Sequence, residues 1–139
     1  MKLEAEMAEE PLGFIGLGAM GRPMAVNLIG SGQALVVRDL SPTATDILAQ
    51  RGAEVAYSVK AVADRAATVL ACMPSVATAE DVVAEAVNGS AIRHFVNLGT
   101  TGSKFSQAAA ARLGEKGIAY LDAPISGGPP GAEAATLSI

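Results

Sequence analysis

The sequence is poor in basic charge, aromatic side chains and metal-binding residues. Ten Lys and Arg stand against fourteen Asp and Glu, for a formal net charge of −4. It therefore offers no basic stripe to neutralise phosphates, and we expect no nucleic-acid partner. A single cysteine, Cys72, excludes an internal disulfide and a cysteine-based metal site. With only one histidine, His94, there is no Cys/His cluster either, so we predict no metal.

Long apolar runs are also missing. No uninterrupted stretch approaches the ~20 residues of a membrane span, so we expect no membrane partner. Residues 1–11, MKLEAEMAEEP, are acidic and lack both the basic start and apolar run of a secretory signal and the Arg-rich composition of a transit peptide. We interpret them as an acidic N-terminal tail. The predicted location is cytoplasmic, with an organellar location as the alternative.

What the chain does contain is a regular alternation of apolar segments and helical patterns. Half of its 139 residues are hydrophobic and 17% are charged, enough for one domain with a sizeable core. Alternating strands and helices of this length predict an α/β fold over residues 12–139, a Rossmann-type, doubly wound, mostly parallel sheet. The predicted strands are 12–17, 34–39, 54–56, 67–73, 93–98 and 118–121, and the predicted helices are 20–31, 42–51, 59–65, 76–87 and 104–116.

The pattern changes after the sixth strand. Residues 123–135 contain three prolines and three glycines, which predicts a loop rather than another helix. Residues 136–139 are predicted to begin one more strand.

Gly16, Gly18 and Gly21 form a G-x-G-x-x-G pattern between the first strand and the first helix. Such glycines allow a tight turn, close approach of the backbone to a pyrophosphate, and close helix–strand packing. The helix N-terminus then offers unpaired N–H groups and a positive dipole end to the phosphates. The pattern predicts a dinucleotide site, although glycine-rich turns without a ligand can imitate it.

Asp39 ends the second strand, eighteen residues after Gly21, where an acid is expected to hydrogen-bond the adenosine ribose. Such a carboxylate ~4 Å from a 2′-phosphate would be repelled by about 4 kcal/mol at an effective dielectric of ~20. We therefore favour NAD over NADP. Strand alternation predicts that Arg38 points to the opposite face. NADP stays open because Arg38 or Arg65 could reach the phosphate.

Two segments carry a resemblance to a known family. The run GFIGLGAMGRPMAVNL at residues 13–28 closely resembles the N-terminal signature of the β-hydroxyacid dehydrogenases, which include 3-hydroxyisobutyrate dehydrogenase and carry a 6-phosphogluconate dehydrogenase-type NAD(P)-binding domain. The run DAPISGGPPGAEAATLSI at residues 122–139 is similar to the family's substrate loop. The resemblance implies an oxidoreductase that interconverts a small β-hydroxy acid and its semialdehyde or keto acid.

The resemblance also implies roles for individual residues. Ser126, Gly127 and Gly128 would hold the carboxylate of a small substrate. Thr100 would reach the nicotinamide ribose, and the backbone around Met73 and Pro74 would lie along the cofactor. The cofactor-binding residues implied by the glycine pattern and the resemblance together are Gly16, Leu17, Gly18, Ala19, Met20, Gly21, Asp39, Met73, Pro74 and Thr100.

Three positions depart from the family pattern. Asn97 stands in place of an acid, Gly99 in place of a serine, and Ala135 in place of a glycine. The family's catalytic lysine and its helical C-terminal domain would both lie beyond Ile139. We therefore expect no catalytic residue in this chain, since Lys104 is predicted to open a surface helix. A homo-oligomer is expected only with that helical domain, and this domain alone is expected to expose apolar surface and associate weakly.

Three other functions remain open from the sequence. An imine reductase would share the fold and differ in its catalytic side chain. A non-catalytic nucleotide-binding module fits the missing lysine, although the Ser126–Gly128 loop argues against it. A methyltransferase would use the glycine turn for S-adenosylmethionine, which the close glycine spacing disfavours.

Overall fold

The computed structural model describes residues 10–139, so most of the predicted acidic tail lies outside the described residues. Six strands alternate with six helices along the described chain. The strands are β1 Leu12–Ile15, β2 Leu35–Arg38, β3 Glu54–Val55, β4 Thr68–Ala71, β5 His94–Asn97 and β6 Ala119–Asp122. The helices are α1 Gly21–Gly30, α2 Pro42–Ala49, α3 Val59–Ala63, α4 Val76–Ala86, α5 Ser103–Gly114 and α6 Gly128–Ala134.

The strands form one sheet in the order β3-β2-β1-β4-β5-β6, and every described pair is parallel. At the centre, Ile15 of β1 is in register with Arg38 on one side and Ala71 on the other. This order is that of the doubly wound dinucleotide-binding fold, and it reverses between β1 and β4. The predicted Rossmann-type fold is therefore confirmed, and the crevice at the reversal point is where such sheets bind ligands.

Helices cover the sheet on both faces, and each face has its own core. Phe14, Val37 and Leu48 belong to the layer beneath α1 and α2. Val69 and Phe95 belong to the layer beneath α3, α4 and α5. Because successive strand residues point to opposite faces, one short apolar strand contributes to both layers. This explains why the sequence shows apolar runs rather than alternation.

Local sequence signals set where several helices begin and end. Ser41 and Ser58 are N-caps, since their side chains accept the N–H groups of Ala44 and Ala61. Ser75 caps α4 in the same way. The predicted strands and helices mostly extend one or two residues too far at an end. Apolar residues continue past the last ladder hydrogen bond of several strands, and several helices end in turns that are no longer α-helical.

The loop predicted at residues 123–135 is wrong, because its second half forms α6. Pro129 and Pro130 lie in the first turn, where the missing proline N–H costs no helical hydrogen bond. At the other end, the Asn27 side-chain amide of α1 donates to the carbonyls of Ala132 and Glu133 at 2.8 and 3.3 Å. Tertiary capping by Asn27 thus stabilises a helix too short to be stable alone.

The strand predicted at residues 136–139 is reduced to a single antiparallel bridge. The Ser126 N–H donates to the Ser138 carbonyl at 2.9 Å, and the Ser138 N–H donates back at 3.0 Å. The bridge closes a loop around α6. Between Ser126 and Ser138, Ala135 ends α6 and lies in the left-handed region, with φ of 56°.

On one face of the sheet, apolar side chains extend from the core beneath α1 and α2 to an exposed edge. Leu70, Val96 and Leu121 are aligned across β4, β5 and β6 on one face, and Leu121 is 58% exposed. The predicted weak self-association stays a prediction. Separately, none of the helices formed by residues 10–139 combines the length and apolar character needed to cross a membrane.

Candidate functional site

A cavity of about 560 Å³ lies at the carboxyl ends of β1, β2 and β4, at the reversal point of the sheet. Its volume is within the usual range for small-molecule and cofactor sites. The glycine turn, the end of β2, the loop after β4 and one side of α4 all contribute to it. The principal lining residues are Gly16, Gly18, Ala19, Met20, Gly21, Arg38, Asp39, Val59, Cys72, Met73, Pro74, Thr78, Asp81, Val82 and Glu85.

Two of the three motif glycines are required by the fold itself. Gly16 has φ of 92°, and a Cβ there would collide with the Cys72 carbonyl oxygen. A Cβ on Gly21 would collide with the carbonyl oxygen of Gly16. Positive φ and backbone contact both select glycine. These two residues let β1, the loop after β4 and α1 approach one another.

Gly18 differs from the other two motif glycines, Gly16 and Gly21. It is exposed, and a Cβ there would meet nothing within 4 Å. Because the described protein leaves that space open, the fold does not require a glycine at this position. Gly18 lines the cavity, where a glycine allows a ligand to approach the backbone closely.

The first turn of α1 lines the same cavity and has no side-chain cap. Helix α2, by contrast, is capped by Ser41. An uncapped turn leaves N–H groups and the positive end of the helix dipole available to an anion. The turn itself is fixed by the Arg22 N–H, which donates to the Gly18 carbonyl at 3.0 Å. The unpaired N–H groups of this turn and the cavity beside them are together suited to binding a diphosphate.

Asp39 joins the end of β2 to the glycine turn. Its Oδ2 accepts the Leu17 N–H at 2.7 Å, and its Oδ1 accepts the Ser41 N–H at 2.8 Å. The side chain is half-buried and lines the cavity. Sequence reasoning missed the bond to Leu17, because nothing local in the sequence signals it. The Asp-x-Ser spacing is the signal for the second bond, since Asp commonly binds the N–H two residues on.

Arg38 does not lie where it was expected. It lines the same cavity as Asp39, and its Nη1 donates to the Asp39 carbonyl at 3.0 Å. Arg38 is the last residue of β2, where the sheet ends and the cavity extends over both of its faces, so strand alternation does not separate the two side chains. Arg65 instead forms an exposed ion pair with Glu54, with Nη2 2.7 Å from Oε2.

The loop after β4 forms the far wall. Met73 and Pro74 both line the cavity, as does Cys72. The Cys72 N–H donates to the Ile15 carbonyl at 2.8 Å, which continues the ladder between β1 and β4 to the edge of the site. Burial raises the pKa of the Cys72 thiol, so the thiol stays protonated and is a poor nucleophile.

Thr100 lies in the loop after β5 and is exposed, outside the lining of the cavity. Ser126 and Gly127 are likewise exposed and Gly128 is half-exposed, and all three lie in the turn that leads into α6. Gly127 and Gly128 have φ of 136° and 62°, which favours glycine at both. The structure thus gathers Gly16, the segment 18–21, Asp39, Met73 and Pro74 around one cavity. Leu17 is buried in the core beneath α1 and α2, and Thr100 and the Ser126 turn lie outside the cavity.

The other candidate side chains are either paired with a neighbour or exposed on the surface. Lys60 pairs with Asp64 at 2.7 Å, and Lys104 is exposed at the start of α5 as expected. His94 is exposed at the start of β5, with Nδ1 3.2 Å from the Thr68 hydroxyl. Across residues 10–139, no three His, Cys, Asp or Glu side chains group in a way that could hold a metal ion.

The strand order and the cavity at its reversal point define the class, a dinucleotide-binding Rossmann domain. Residues 11–139 match the family described as the NAD binding domain of 6-phosphogluconate dehydrogenase, and the chain belongs to that family. The family suggested by residues 13–28 and 122–139 is thereby confirmed.

Known relatives are hydroxyacid dehydrogenases. The chain is 37% identical to the mitochondrial 3-hydroxyisobutyrate dehydrogenase of Drosophila melanogaster, covering 91% of this chain and 40% of the relative. It is also 37% identical to the NAD-dependent L-serine dehydrogenase of Pseudomonas aeruginosa, covering 91% and 44%. The crystallised 3-hydroxyisobutyrate dehydrogenase of Mycobacterium tuberculosis with L-serine superposes with a TM-score of 0.85 at 32% identity, covering 92% and 44%. The chain therefore spans less than half the length of these relatives.

Proposed function

We propose that this chain is the NAD-binding domain of an oxidoreductase that interconverts a small β-hydroxy acid and its semialdehyde or keto acid. The observation that carries the proposal is the meeting of the uncapped glycine turn and Asp39 at one cavity, joined by the bond from Leu17 to Asp39. The relatives' names supply the substrate class.

Different residues around the cavity bind different parts of the dinucleotide. The first turn of α1 directs N–H groups at the diphosphate, with Gly18 allowing the backbone to approach it. The Asp39 carboxylate accepts the adenosine ribose hydroxyls. Met73 and Pro74 lie along the cofactor, and Thr100 reaches the nicotinamide ribose. When bound, the nicotinamide supplies hydride transfer.

We propose NAD as the preferred cofactor. The Asp39 carboxylate would repel a 2′-phosphate, by about 4 kcal/mol at ~4 Å and an effective dielectric of ~20. Arg38 lines the cavity and could offset that repulsion, but its Nη1 is engaged by the Asp39 carbonyl. Arg65 is held by Glu54. Arg65 would have to leave Glu54 to reach a phosphate, and Arg38 could offer only its N–H groups other than the one bonded to Asp39.

We also propose that the Ser126 turn holds the substrate carboxylate. The Ser126 N–H is already bonded to Ser138, so its hydroxyl and the N–H groups of Gly127 and Gly128 remain as the donors. Successive N–H groups in a turn with positive φ form a concave anion site. We assign no catalytic residue to this chain, since Lys60 is paired with Asp64 and Lys104 lies on α5, and neither lines the cavity.

Separate titrations of the purified chain with NADH, NADPH and S-adenosylmethionine test the proposal. We expect NADH to bind with enhanced nicotinamide fluorescence and NADPH to bind at least tenfold more weakly, a difference of ~1.4 kcal/mol. Equal binding of the two nicotinamides would overturn the NAD preference alone. Binding of S-adenosylmethionine without either nicotinamide would overturn the oxidoreductase assignment.

A further inference from the structure

Asn97 is a buried polar residue at the end of β5. It is 1% exposed, and its amide makes hydrogen bonds in two directions. Its Oδ1 accepts the Gly99 N–H at 3.2 Å, and its Nδ2 donates to the Thr101 hydroxyl at 2.8 Å. These two bonds hold the residues on either side of Thr100. A side chain that fixes both flanks of a loop residue fixes the course of the backbone between them.

The same amide also connects this loop to the next strand. Its Nδ2 lies 3.5 Å from Oδ1 of Asp122, which ends β6 and precedes the Ser126 turn. An amide supplies a donor and an acceptor at once, whereas an ionised carboxylate only accepts. An acid at position 97 would also place a second negative charge beside Asp122. The asparagine is therefore suited to link the ends of β5 and β6.

The loop after β5 in turn packs against the cavity wall. A Cβ on Gly99 would lie 3.3 Å from the Met73 carbonyl oxygen and 3.4 Å from Oδ1 of Asn97. Gly99 is thus confined between Asn97 and Met73, a residue that lines the cavity. The Gly99 backbone therefore packs beside the Met73 carbonyl, and in a closely packed interior a shift of one is transmitted to the other.

We propose that Asn97 is a positioning residue that holds the Gly99–Thr101 loop against Met73 and so sets Thr100 at the nicotinamide end of the bound cofactor. The inference rests on the proposed function. Asn97 lies on β5, which β4 and β1 separate from the Asp39 end of β2. Its influence is therefore confined to the nicotinamide half of the dinucleotide.

The experiment compares NADH with ADP-ribose, which lacks the nicotinamide, by isothermal titration calorimetry. For Asn97→Ala we expect NADH to bind roughly tenfold more weakly, the loss of about 1.4 kcal/mol of hydrogen bonding. ADP-ribose affinity should change by less than about twofold, because the glycine turn and Asp39 are untouched. Asn88→Ala, which removes an exposed amide bonded to the Ala84 carbonyl, is the control and should alter neither affinity.

A second variant keeps the test decisive if Asn97→Ala does not fold. Thr101→Val removes only the hydroxyl that accepts from Asn97 Nδ2. It should lower the affinity for NADH roughly threefold and leave the affinity for ADP-ribose unchanged. The role of Asn97 would be overturned if a folded variant lost affinity for NADH and ADP-ribose equally. It would also be overturned if neither variant lost affinity for NADH. Failure of the unmodified chain to bind NADH and ADP-ribose would instead overturn the proposed function.

Discussion

The carboxylate of Asp39 accepts the backbone N–H of Leu17 at 2.7 Å, across 22 positions of the chain. The acid that ends β2 is therefore part of the same unit as the glycine turn after β1. Hydrogen bonds to a carboxylate are shorter and stronger than those between neutral groups. A ribose hydroxyl that reaches Asp39 would meet a carboxylate whose orientation is already fixed.

The charge of Asp39 is expected to control cofactor choice. In Asp39→Asn the NADH affinity should fall roughly tenfold, or ~1.4 kcal/mol, while NADPH loses its repulsion and binds more tightly. Fluorescence titration of both cofactors measures the two changes. Asp46→Asn, which neutralises an acid on α2, is the matched control and should leave the ratio unchanged. An unaltered ratio in Asp39→Asn would remove Asp39 from cofactor discrimination.

Substitution of the motif glycines is expected to affect either cofactor binding or stability, depending on the position. Gly18→Ala should fold with a urea midpoint close to that of the unmodified chain, because its Cβ meets no described atom. It should lose at least tenfold in NADH affinity, since the methyl group occupies the space left for the diphosphate. Gly21→Ala should lose roughly 2 kcal/mol or more of unfolding free energy, because its Cβ collides with the Gly16 carbonyl. A destabilised Gly18→Ala that still binds NADH normally would contradict this division.

Ala135 is the one non-glycine residue with positive φ that the described chain contains, at 56°. Relief of that strain in Ala135→Gly should raise the free energy of unfolding by about 1 kcal/mol. Ala134→Gly, one residue earlier in α6, serves as the control and should lower it by about 0.5–1 kcal/mol, because glycine is unfavourable within a helix. Urea denaturation measures both. The same sign for the two variants would argue against left-handed strain at Ala135.

Asp64 is expected to make stability depend on pH. The hydrogen bond from Lys60, followed by that from the Ser90 N–H, holds the pKa of this carboxyl below its ordinary value. A lowered folded-state pKa contributes stability that is present above the unfolded pKa and is lost as the pH falls through the folded pKa. Asp64→Asn should therefore be less stable than the unmodified chain at about pH 7, and the difference should shrink at acidic pH as the pH falls through the lowered pKa of Asp64.

The control for this pH experiment is Glu80→Gln, which neutralises an exposed acid on α4. It should show no comparable difference at either pH. Urea midpoints across the pH range measure both variants. A gap between Asp64→Asn and the unmodified chain that stays constant with pH would show that ionisation of Asp64 is not its source.

Much of the fold follows from short-range patterns. The apolar runs and helical periodicity predict the Rossmann-type sheet, and Ser41 and Ser58 are helix N-caps of a type that the sequence displays locally. Gly52 and Gly117 close helical segments with φ of 99° and 72°. These features are set by steric and hydrogen-bonding preferences within a few residues, so the sequence shows them directly.

The sequence by itself determined the fold class and the family, and it indicated the glycine turn and the end of β2 as parts of the cavity, because glycine spacing and strand ends are local properties. Only the tertiary structure decided that residues 128–134 form a helix, since the amide that caps it comes from Asn27, 105 positions away from Ala132. It also decided that Arg38 shares the cavity with Asp39. Contacts between distant segments depend on how the layers pack, and no local pattern encodes that packing.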